Sequence, residues 1–270
     1  MYDKKQLNNI KKNYSNYGVA LLKNFCSNKN LSLVKKAVDF CVNNPSPFSS
    51  KINSSGGVFF HDYWTYKRNK YIKQLLSDPN LINTIKKIVS TKNLKFFHDH
   101  TLIKNPKSPS TPWHHDRPYY FLKGPKVFSV WITPDKVDED NSLAFCINSH
   151  KSKYDYLPVH FDDKSNLLSH PSLKILDEES LSKESKNGII VFKMQPGDAV
   201  IFHNKTLHRS LPSSENKKRS ALSLRLVGDD TRLTKICVNN PQPPFHKFGM
   251  KLRENGKLDE NWFPTLPFKT

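Results

Sequence analysis

Six short apolar segments between residues 94 and 227 constrain the fold of this chain more than any other feature. They are rich in Val, Ile and Phe, and Pro, Gly, Asn and Asp bound them. They are residues 94–103, 127–133, 143–147, 189–193, 198–203 and 219–227. No helical pattern alternates with them, as a βαβ fold would require. We therefore predict a mainly β fold with flanking helices (α+β), built on a sandwich or jelly roll.

The N-terminal region predicts packing helices and one strand. A polar helix over about 3–16 precedes an apolar strand at 18–22. A second helix shows an apolar face at i, i+3, i+4 and i+7, formed by Val34, Ala37, Val38 and Cys41. A third begins at Asp78-Pro79, since proline is favoured in the first turn of a helix. We expect no chemistry from these elements.

No domain boundary interrupts the chain, so we predict a single domain over 1–270. In this division, 1–93 supports the core, 94–230 forms it, and 231–270 is a tail that wraps the surface in extended form. Residues 150–188 are long and polar and interrupt the core as an insertion, a candidate lid.

The net charge of +19 invites a nucleic-acid interpretation, because Lys and Arg total 43 and Asp and Glu total 24. Only seven of the 43 basic residues are Arg, the side chain that reads bases and clamps phosphates best. The lysines are scattered, and no basic motif is interleaved with aromatic residues. We therefore expect no nucleic-acid partner and treat the charge as background composition.

The N-terminal residues lack the apolar core of a signal peptide, and no stretch approaches the length of a membrane helix. The four cysteines show no metal-site spacing and are expected to be reduced, mostly buried thiols. We therefore expect a cytoplasmic protein that does not contact a membrane.

The segment TPWHHDRPYY, residues 111–120, carries the first sign of chemistry. In an extended segment residues i and i+2 point to the same side, so His114 and Asp116 converge and His115 faces away. A histidine and a carboxylate are two thirds of the facial triad that holds Fe(II) and leaves coordination positions open. The HxD pattern alone is common by chance. The alternative interpretation of His114, Asp116 and the later His208 is an ordinary hydrogen-bonded trio at the surface.

A histidine that could serve as the third ligand and an inward-facing arginine strengthen the interpretation. His208 follows the strand that ends near His203, and Arg219 opens the next strand eleven residues later. On that strand Arg219 shares a face with Ala221, Ser223 and Arg225, whereas the leucines share the other face. An inward arginine needs an anion, which a chelating dicarboxylate would supply.

With these motifs the sequence resembles the phytanoyl-CoA dioxygenase family of Fe(II)/2-oxoglutarate oxygenases, in its bacterial small-molecule branch. The similarity covers about 94–230. The matching stretches are 98–106 (HDHTLIKNP), 112–116 (PWHHD), 130–132 (VWI), 140–143 (DNSL), 149–151 (SHK), 197–210 and 219–230.

The resemblance implies a double-stranded β-helix, the cupin-like jelly roll, with iron in its mouth. It implies His114, Asp116 and His208 as iron ligands and Arg219 as the partner of the far carboxylate of 2-oxoglutarate. By the same resemblance, Ser210, Trp131 and Thr101 line the co-substrate pocket. Candidate substrate contacts are Lys104, Tyr120 and Arg225, although a carboxylate such as Asp229 or Asp230 is the more expected partner of Arg225.

Two departures from the family pattern fall at turns, where Asn141-Ser142 and Asn148-Ser149 replace glycine-containing pairs. They bear on loop shape and leave the metal motif intact. The carboxylate of Asp116 is present, whereas its loss creates the halide position of the related halogenases, so the resemblance favours a hydroxylase.

The sequence therefore predicts an Fe(II)- and 2-oxoglutarate-dependent dioxygenase. It would use O2 to hydroxylate a small, polar or anionic organic molecule and would release succinate and CO2. Two alternatives stay open at this point: a non-catalytic cupin-like jelly roll, and a nucleic-acid-associated protein with a basic surface.

Overall fold

The computed structural model describes residues 2–54, 56–161, 165–167, 169–213, 217–238 and 241–269. The α-helices are α1 (Lys4–Tyr17), α2 (Asn28–Asn43), α3 (Lys70–Leu76), α4 (Pro79–Val89) and α5 (Glu178–Ser185). The first seven strands are β1 (Val19–Leu22), β2 (Ser50–Ser54), β3 (Gly57–Tyr63), β4 (Lys95–Lys104), β5 (Leu122–Lys123), β6 (Val127–Ile132) and β7 (Leu143–Cys146). The others are β8 (Asp155–Tyr156), β9 (Leu173–Lys174), β10 (Ile189–Val191), β11 (Ala199–His203), β12 (His208–Ser210), β13 (Arg219–Val227) and β14 (Arg232–Leu233).

A seven-stranded antiparallel sheet forms the larger wall of the jelly roll, in the order β1-β11-β6-β13-β4-β3-β2. A three-stranded sheet, β10-β7-β12, forms the smaller wall. The six apolar segments of the sequence are all strands of these sheets. The fold class predicted from the sequence is confirmed.

The N-terminal region contributes strands as well as helices. The predicted helices correspond to α1, α2 and α4, and the predicted strand to β1. The sequence pattern missed β2 and β3, which extend the large sheet beside β4. These strands carry few consecutive apolar residues, so the period-two signal is weak there.

The outer face of the large sheet packs against the helices. Leu222, Leu224 and Leu226 of β13 lie in one buried cluster with residues of α2 and α4. Helix α4 begins at an Asp78 side chain that accepts from the amide of Asn80. Burial of Leu222, Leu224 and Leu226, each 0% exposed, stabilises the fold by about 1.5–3 kcal/mol per side chain relative to leaving that side chain exposed. The opposite, inner face of β13 is left to the polar side chains.

The C-terminal tail is part of the core, contrary to the expectation that it wraps the surface in extended form. Phe245 and Phe263 are completely buried. Both pack on Phe97 of β4 and on Phe121, with ring-centroid distances of 5.5–6.3 Å. The prolines of the tail predicted an exposed segment, but the aromatic residues between them supply its buried contacts.

No helix within the described residues combines the length and the hydropathy that crossing a membrane requires.

Candidate metal centre

Three side chains that could hold a metal ion meet between the two sheets: His114, Asp116 and His208. One potential ligand atom from each lies within 4.8 Å of the others. All three residues are buried. His208 opens β12, and His114 and Asp116 come from the extended segment beside it. The structure therefore brings together the three residues that the sequence singled out.

Backbone hydrogen bonds set the distance between the two histidines. The amide of His114 donates to the carbonyl of His208 at 3.0 Å, and the amide of His208 donates back at 2.8 Å. This reciprocal antiparallel pair puts the two side chains on one side of the sheet, with their ring centroids 4.4 Å apart. The HxD segment thus acts as a further strand of the smaller wall.

Both imidazoles have one nitrogen committed to the protein and one free. Nδ1 of His114 lies 2.9 Å from the carbonyl of Pro112, and Nδ1 of His208 lies 2.9 Å from that of Thr206. A carbonyl only accepts, so each Nδ1 carries the proton and each Nε2 presents a lone pair. Burial lowers the pKa of His114 to about 3 and lowers the pKa of His208, which keeps both rings neutral. Neutral, oriented imidazoles beside a carboxylate fit a non-heme iron site.

Asp116 is held by two side chains from the large sheet. Nη1 of Arg225 donates to Oδ2 of Asp116 at 2.7 Å, and the hydroxyl of Ser129 donates to the same oxygen at 3.3 Å. Arg225 also donates to Ser129, so the three groups form a closed set. Burial raises the pKa of Asp116, but the positive charge of Arg225, together with the neighbouring His208 and His114 side chains, outweighs this effect and lowers the pKa. The carboxylate is ionised and oriented.

This pairing corrects one expectation from the sequence, that Arg225 pairs with Asp229 or Asp230. Asp229 instead accepts from Thr91 and from two backbone amides, and Asp230 lies 3.1 Å from Lys126. Arg225 lies on the inner face of β13, whereas both aspartates follow the end of that strand. The partner of Arg225 is Asp116, which lies 109 residues away in the sequence.

A second polar pocket surrounds Arg219. Its guanidinium donates to the carbonyls of Asn141 and Ser142 and to the hydroxyl of Ser210, the last at 2.6 Å. The ring of Trp131 lies 5.5 Å from its central carbon. Arg219 is buried, and in the described part of the chain no carboxylate pairs with it. A buried guanidinium bonded to neutral oxygens is chemically suited to an anion.

The spacing of β12 connects this pocket to the metal ligands. His208 and Ser210 are both buried on the same side of the strand, two residues and therefore about 6–7 Å apart. That separation suits a short dicarboxylate that reaches from a metal ion beside His208 to Arg219. The residues present thus fit both a metal ion and a dicarboxylate co-substrate.

Lys104 lies next to this pocket, directly across from Arg219 in the β4–β13 register. Its ammonium group donates to the carbonyls of Pro109 and Leu211. Burial, together with the charge of Arg219, lowers the pKa of Lys104 to about 7. Lys104 is therefore a buried group at the Arg219 end of the inner face.

Thr101 does not reach the pocket, and that expectation is wrong. It pairs across from Leu222, whose side chain belongs to the helix-covered face. Its hydroxyl donates to the thiol of Cys41 on α2 at 3.4 Å. Strand β4 alternates, so Thr101 points outward while His100 and Leu102 point inward.

The inner face near Arg225 is polar and aromatic. Tyr120 is buried, with its ring 5.6 Å from the ring of His98 and 5.9 Å from the guanidinium of Arg225. His98 lies across from Arg225 in the register of β4 and β13, and His100 lies across from Ser223. Sequence reasoning missed Ser129 and gave Ser223 no role, although period-two spacing from Trp131 and from Arg225 would have found them.

The insertion at 150–188 is attached to the metal motif itself. His115, Arg117 and Tyr119 each contact the insertion. The amide of Tyr156 donates to Nε2 of His115 at 2.8 Å, and Arg117 lies 3.0 Å from Asp155. The hydroxyl of Tyr119 bonds both the carbonyl and the amide of Val159, at 2.8 and 2.9 Å.

These contacts place Phe161 against His114, one of the three candidate metal ligands. Its ring centroid lies 4.7 Å from that of His114 and 6.3 Å from that of Tyr119. The described part of the insertion therefore covers one side of the three-residue cluster.

Comparisons with known proteins identify the family and similar folds. A family model described as "Phytanoyl-CoA dioxygenase (PhyH)" matches residues 14–221. Comparison of the sequence with curated proteins finds no match. Among solved structures, the α-ketoglutarate-dependent epimerase SnoN from nogalamycin biosynthesis is similar, with a TM-score of 0.75 and 16% identity over 99% of this chain and 98% of that chain.

Two further structures share the fold. The carbocyclase SnoK, also from nogalamycin biosynthesis, has a TM-score of 0.73 and 13% identity over 98% of this chain and 96% of that chain. EctD from S. alaskensis, solved with 2-oxoglutarate and 5-hydroxyectoine, has a TM-score of 0.68 and 15% identity over 95% and 86%. At these identities the likeness shows the fold alone.

Proposed function

The chain belongs to the phytanoyl-CoA dioxygenase family, and from that premise we propose that His114, Asp116 and His208 hold Fe(II). As a member of this family, the chain is a non-heme iron enzyme that depends on 2-oxoglutarate and O2. We propose that it hydroxylates a small polar or anionic organic molecule. The observation that carries the assignment is the meeting of two neutral imidazoles and one ionised carboxylate within 4.8 Å.

We further infer that Arg219 and Ser210 bind the far carboxylate of 2-oxoglutarate. Arg219 offers charged donors in a buried pocket with no carboxylate partner among the described residues, and Ser210 adds a hydroxyl. Trp131 closes one side of the pocket with its ring. The carboxylate would replace weaker contacts with neutral oxygens, which makes Arg219 the main determinant of co-substrate affinity.

Iron and 2-oxoglutarate, when bound, supply the oxidising chemistry, and the co-substrate leaves as succinate and CO2. The chain contributes orientation and the exclusion of water. The Nδ1 protons of His114 and His208 stay on backbone carbonyls and keep both Nε2 atoms free. Arg225 holds the Asp116 carboxylate ionised, and Phe161 screens His114 from solvent on one side.

Replacing one ligand tests the metal assignment. His208→Ala is expected to lose Fe(II) binding in anaerobic calorimetric titration and to lose O2-dependent formation of succinate. His203→Ala is the matched control, because His203 is also a buried histidine near β12 but bonds the carbonyl of Pro125. Unchanged Fe(II) binding in His208→Ala would show that the cluster is not the iron site and would favour a non-catalytic jelly roll.

Replacing the arginine tests the co-substrate assignment separately. Arg219→Lys keeps the charge but loses the fork, so the Kd for 2-oxoglutarate should rise by at least about tenfold while Fe(II) affinity is retained. Arg232→Lys is the control, since Arg232 donates only to backbone carbonyls at the surface. An unaltered Kd in Arg219→Lys would exclude this pocket as the carboxylate site.

The reaction type is tested on the product. Hydroxylation adds one oxygen atom to the substrate, whereas epimerisation, the activity named for SnoN, leaves its mass unchanged. Mass spectrometry of the substrate after turnover under labelled O2 distinguishes these outcomes. The intact carboxylate of Asp116 supports the hydroxylation proposal over halogenation.

The basic surface supports a nucleic-acid partner less well than the inner face supports an oxygenase. A surface cleft of about 780 Å³ is lined by six cationic side chains, Lys11, Arg117, Lys123, Lys126, Lys205 and Arg232. Four of them pair with carboxylates: Arg117 and Lys205 with Asp155, Lys126 with Asp230, and Lys123 with Glu254. Three carboxylates therefore compensate about half of the positive charge in the cleft. Retention of DNA or RNA at low salt would argue against this conclusion.

A further inference from the structure

Three buried polar atoms on the inner face lack a hydrogen-bond partner among the described residues. They are Nε2 of His98, Oγ of Ser223 and Nε of Arg225. All three residues are buried, with exposed fractions of 1%, 0% and 7%. Buried polar atoms are almost always hydrogen-bonded, so each exception needs an explanation, such as a ligand or an ordered water.

The three atoms belong to one patch. His98 lies directly across from Arg225 in the β4–β13 register, and Ser223 is two residues from Arg225 on the same face. Neighbours of this kind lie about 5–8 Å apart. Tyr120 closes one side, with its ring 5.6 Å from that of His98. Arg225 connects the patch to the metal centre, because it bonds Asp116.

The tautomer of His98 defines what the patch can bind. Nδ1 of His98 lies 2.9 Å from the carbonyl of Asp99, so Nδ1 carries the proton and Nε2 is an acceptor. Burial lowers the pKa of His98 to about 3, which keeps the ring neutral. Nε of Arg225 is a donor, and the hydroxyl of Ser223 serves either role. The complementary ligand group both donates and accepts hydrogen bonds.

The charges near the patch disfavour an anion. The charge of Arg225 is already matched by Asp116 at 2.7 Å. Arg117 points to the insertion and pairs with Asp155. Lys104 lies six residues from His98 along β4, at the Arg219 end of the face. An anion in the patch would be desolvated with no unpaired cation beside it among the residues that the structure describes.

We propose that His98, Ser223 and Arg225 form the recognition site for a hydroxyl group of the primary substrate, and that this substrate is a neutral small molecule that carries a hydroxyl group. The substrate hydroxyl would accept hydrogen bonds from Nε of Arg225 and from the Ser223 hydroxyl and would donate one to Nε2 of His98. This inference rests on the proposed function and narrows its substrate from polar or anionic to neutral and hydroxylated.

The test uses the full chain loaded with Fe(II) and 2-oxoglutarate under anaerobic conditions. The visible charge-transfer band of that complex reports changes beside the metal. The probes are matched sets: D-glucose, D-glucuronate and D-glucose 6-phosphate, and myo-inositol with its monophosphate. Neutral members should shift the band and should raise succinate formation when O2 is admitted, whereas the anionic members should not.

Variants locate the effect in the patch. Ser223→Ala and His98→Phe should each weaken the response to the neutral probe by about tenfold, and formation of the band itself should be unchanged. Ser220→Ala is the control, because Ser220 is also a buried serine of β13 but lies on the opposite face. Formation of the band shows that the iron and co-substrate sites are intact, so the outcome bears on the patch alone.

Three results would overturn the proposal: a response to the anionic probes instead, no response to any neutral probe, or equal responses in Ser223→Ala and wild type. In a crystal structure of the complex, a single water bonded to these atoms and retained in the presence of the neutral probes would assign the patch a structural water.

Discussion

Nη1 of Arg225 donates to the carboxylate of Asp116 at 2.7 Å, although 109 residues separate the two in sequence. Both side chains are more than nine-tenths buried. The bond ties the proposed metal centre to the central strand of the large sheet and keeps the carboxylate ionised. Nε of Arg225 has no partner among the described residues. Arg225 therefore connects the proposed metal centre to the proposed substrate patch.

Arg225→Lys should weaken Fe(II) binding without abolishing it. Lysine keeps the positive charge but cannot hold Asp116 and Ser129 together, and loss of such outer contacts typically costs about 10–100-fold in metal affinity. Anaerobic calorimetry with Fe(II) measures the change, and Arg232→Lys is the control at the surface. Equal affinities in the two variants would mean that the pair does not orient the ligand.

Tyr119→Phe should loosen the insertion over the metal centre. The hydroxyl of Tyr119 bonds both the amide and the carbonyl of Val159, and its loss leaves these groups unpaired at a cost of about 1–3 kcal/mol. Hydrogen exchange in residues 155–161 should rise, and more 2-oxoglutarate should be consumed per substrate oxidised. Tyr71→Phe on α3 is the comparison. Unaltered exchange would show that Tyr119 does not anchor the insertion.

Lys104 should make stability depend on pH between about 7 and 10. The pKa of Lys104 is about 7 in the folded chain, below the ordinary value of about 10.4 in an unfolded chain. In this interval unfolding takes up a proton, so the free energy of unfolding rises with pH, by at most about 1.4 kcal/mol per unit from this group.

The measurement for Lys104 is urea unfolding at several pH values. Wild type should gain stability over Lys104→Met as the pH rises from 7 to 10, whereas exposed Lys36→Met should follow wild type. Parallel curves for wild type and Lys104→Met would contradict the lowered pKa.

Phe263→Ala should destabilise the whole fold. The side chain is fully buried, stacked on Phe97 at 5.5 Å, and such a truncation costs about 3–5 kcal/mol. Phe248→Ala, at a side chain that is 56% exposed in the same tail, should cost much less. Thermal and urea denaturation of both variants make the comparison. A small loss of unfolding free energy in Phe263→Ala would indicate that the tail is peripheral and not part of the core.

Local patterns predicted a large part of this protein. Strand spacing made His114 and Asp116 converge and put Arg219 and Arg225 on one face of β13. These relations depend only on the two-residue repeat of an extended chain, which is a property of a few neighbouring residues. The resemblance carried by the motifs then supplied His208 as the third ligand and named the family, and the family model confirms the family.

The same repeat could not say which face of a strand points inward. Thr101 and His100 alternate on β4, and the packing of α2 against one side made Thr101 a neighbour of Cys41. Likewise, the two-residue repeat of a strand does not predict which carboxylate pairs with Arg225. Aspartates near in sequence were the natural guess, and Asp116 is the partner only because the two walls of the jelly roll close on each other.

The sequence by itself therefore determined the strand-rich core, the metal motif and the buried arginine, because each depends on local spacing and composition. Tertiary structure alone decided the closed set of Arg225, Asp116 and Ser129, the attachment of the insertion through Tyr119, and the burial of Phe263. Each of these joins segments far apart in the chain, and their contacts exist only once the sheets pack and exclude water from the space between them.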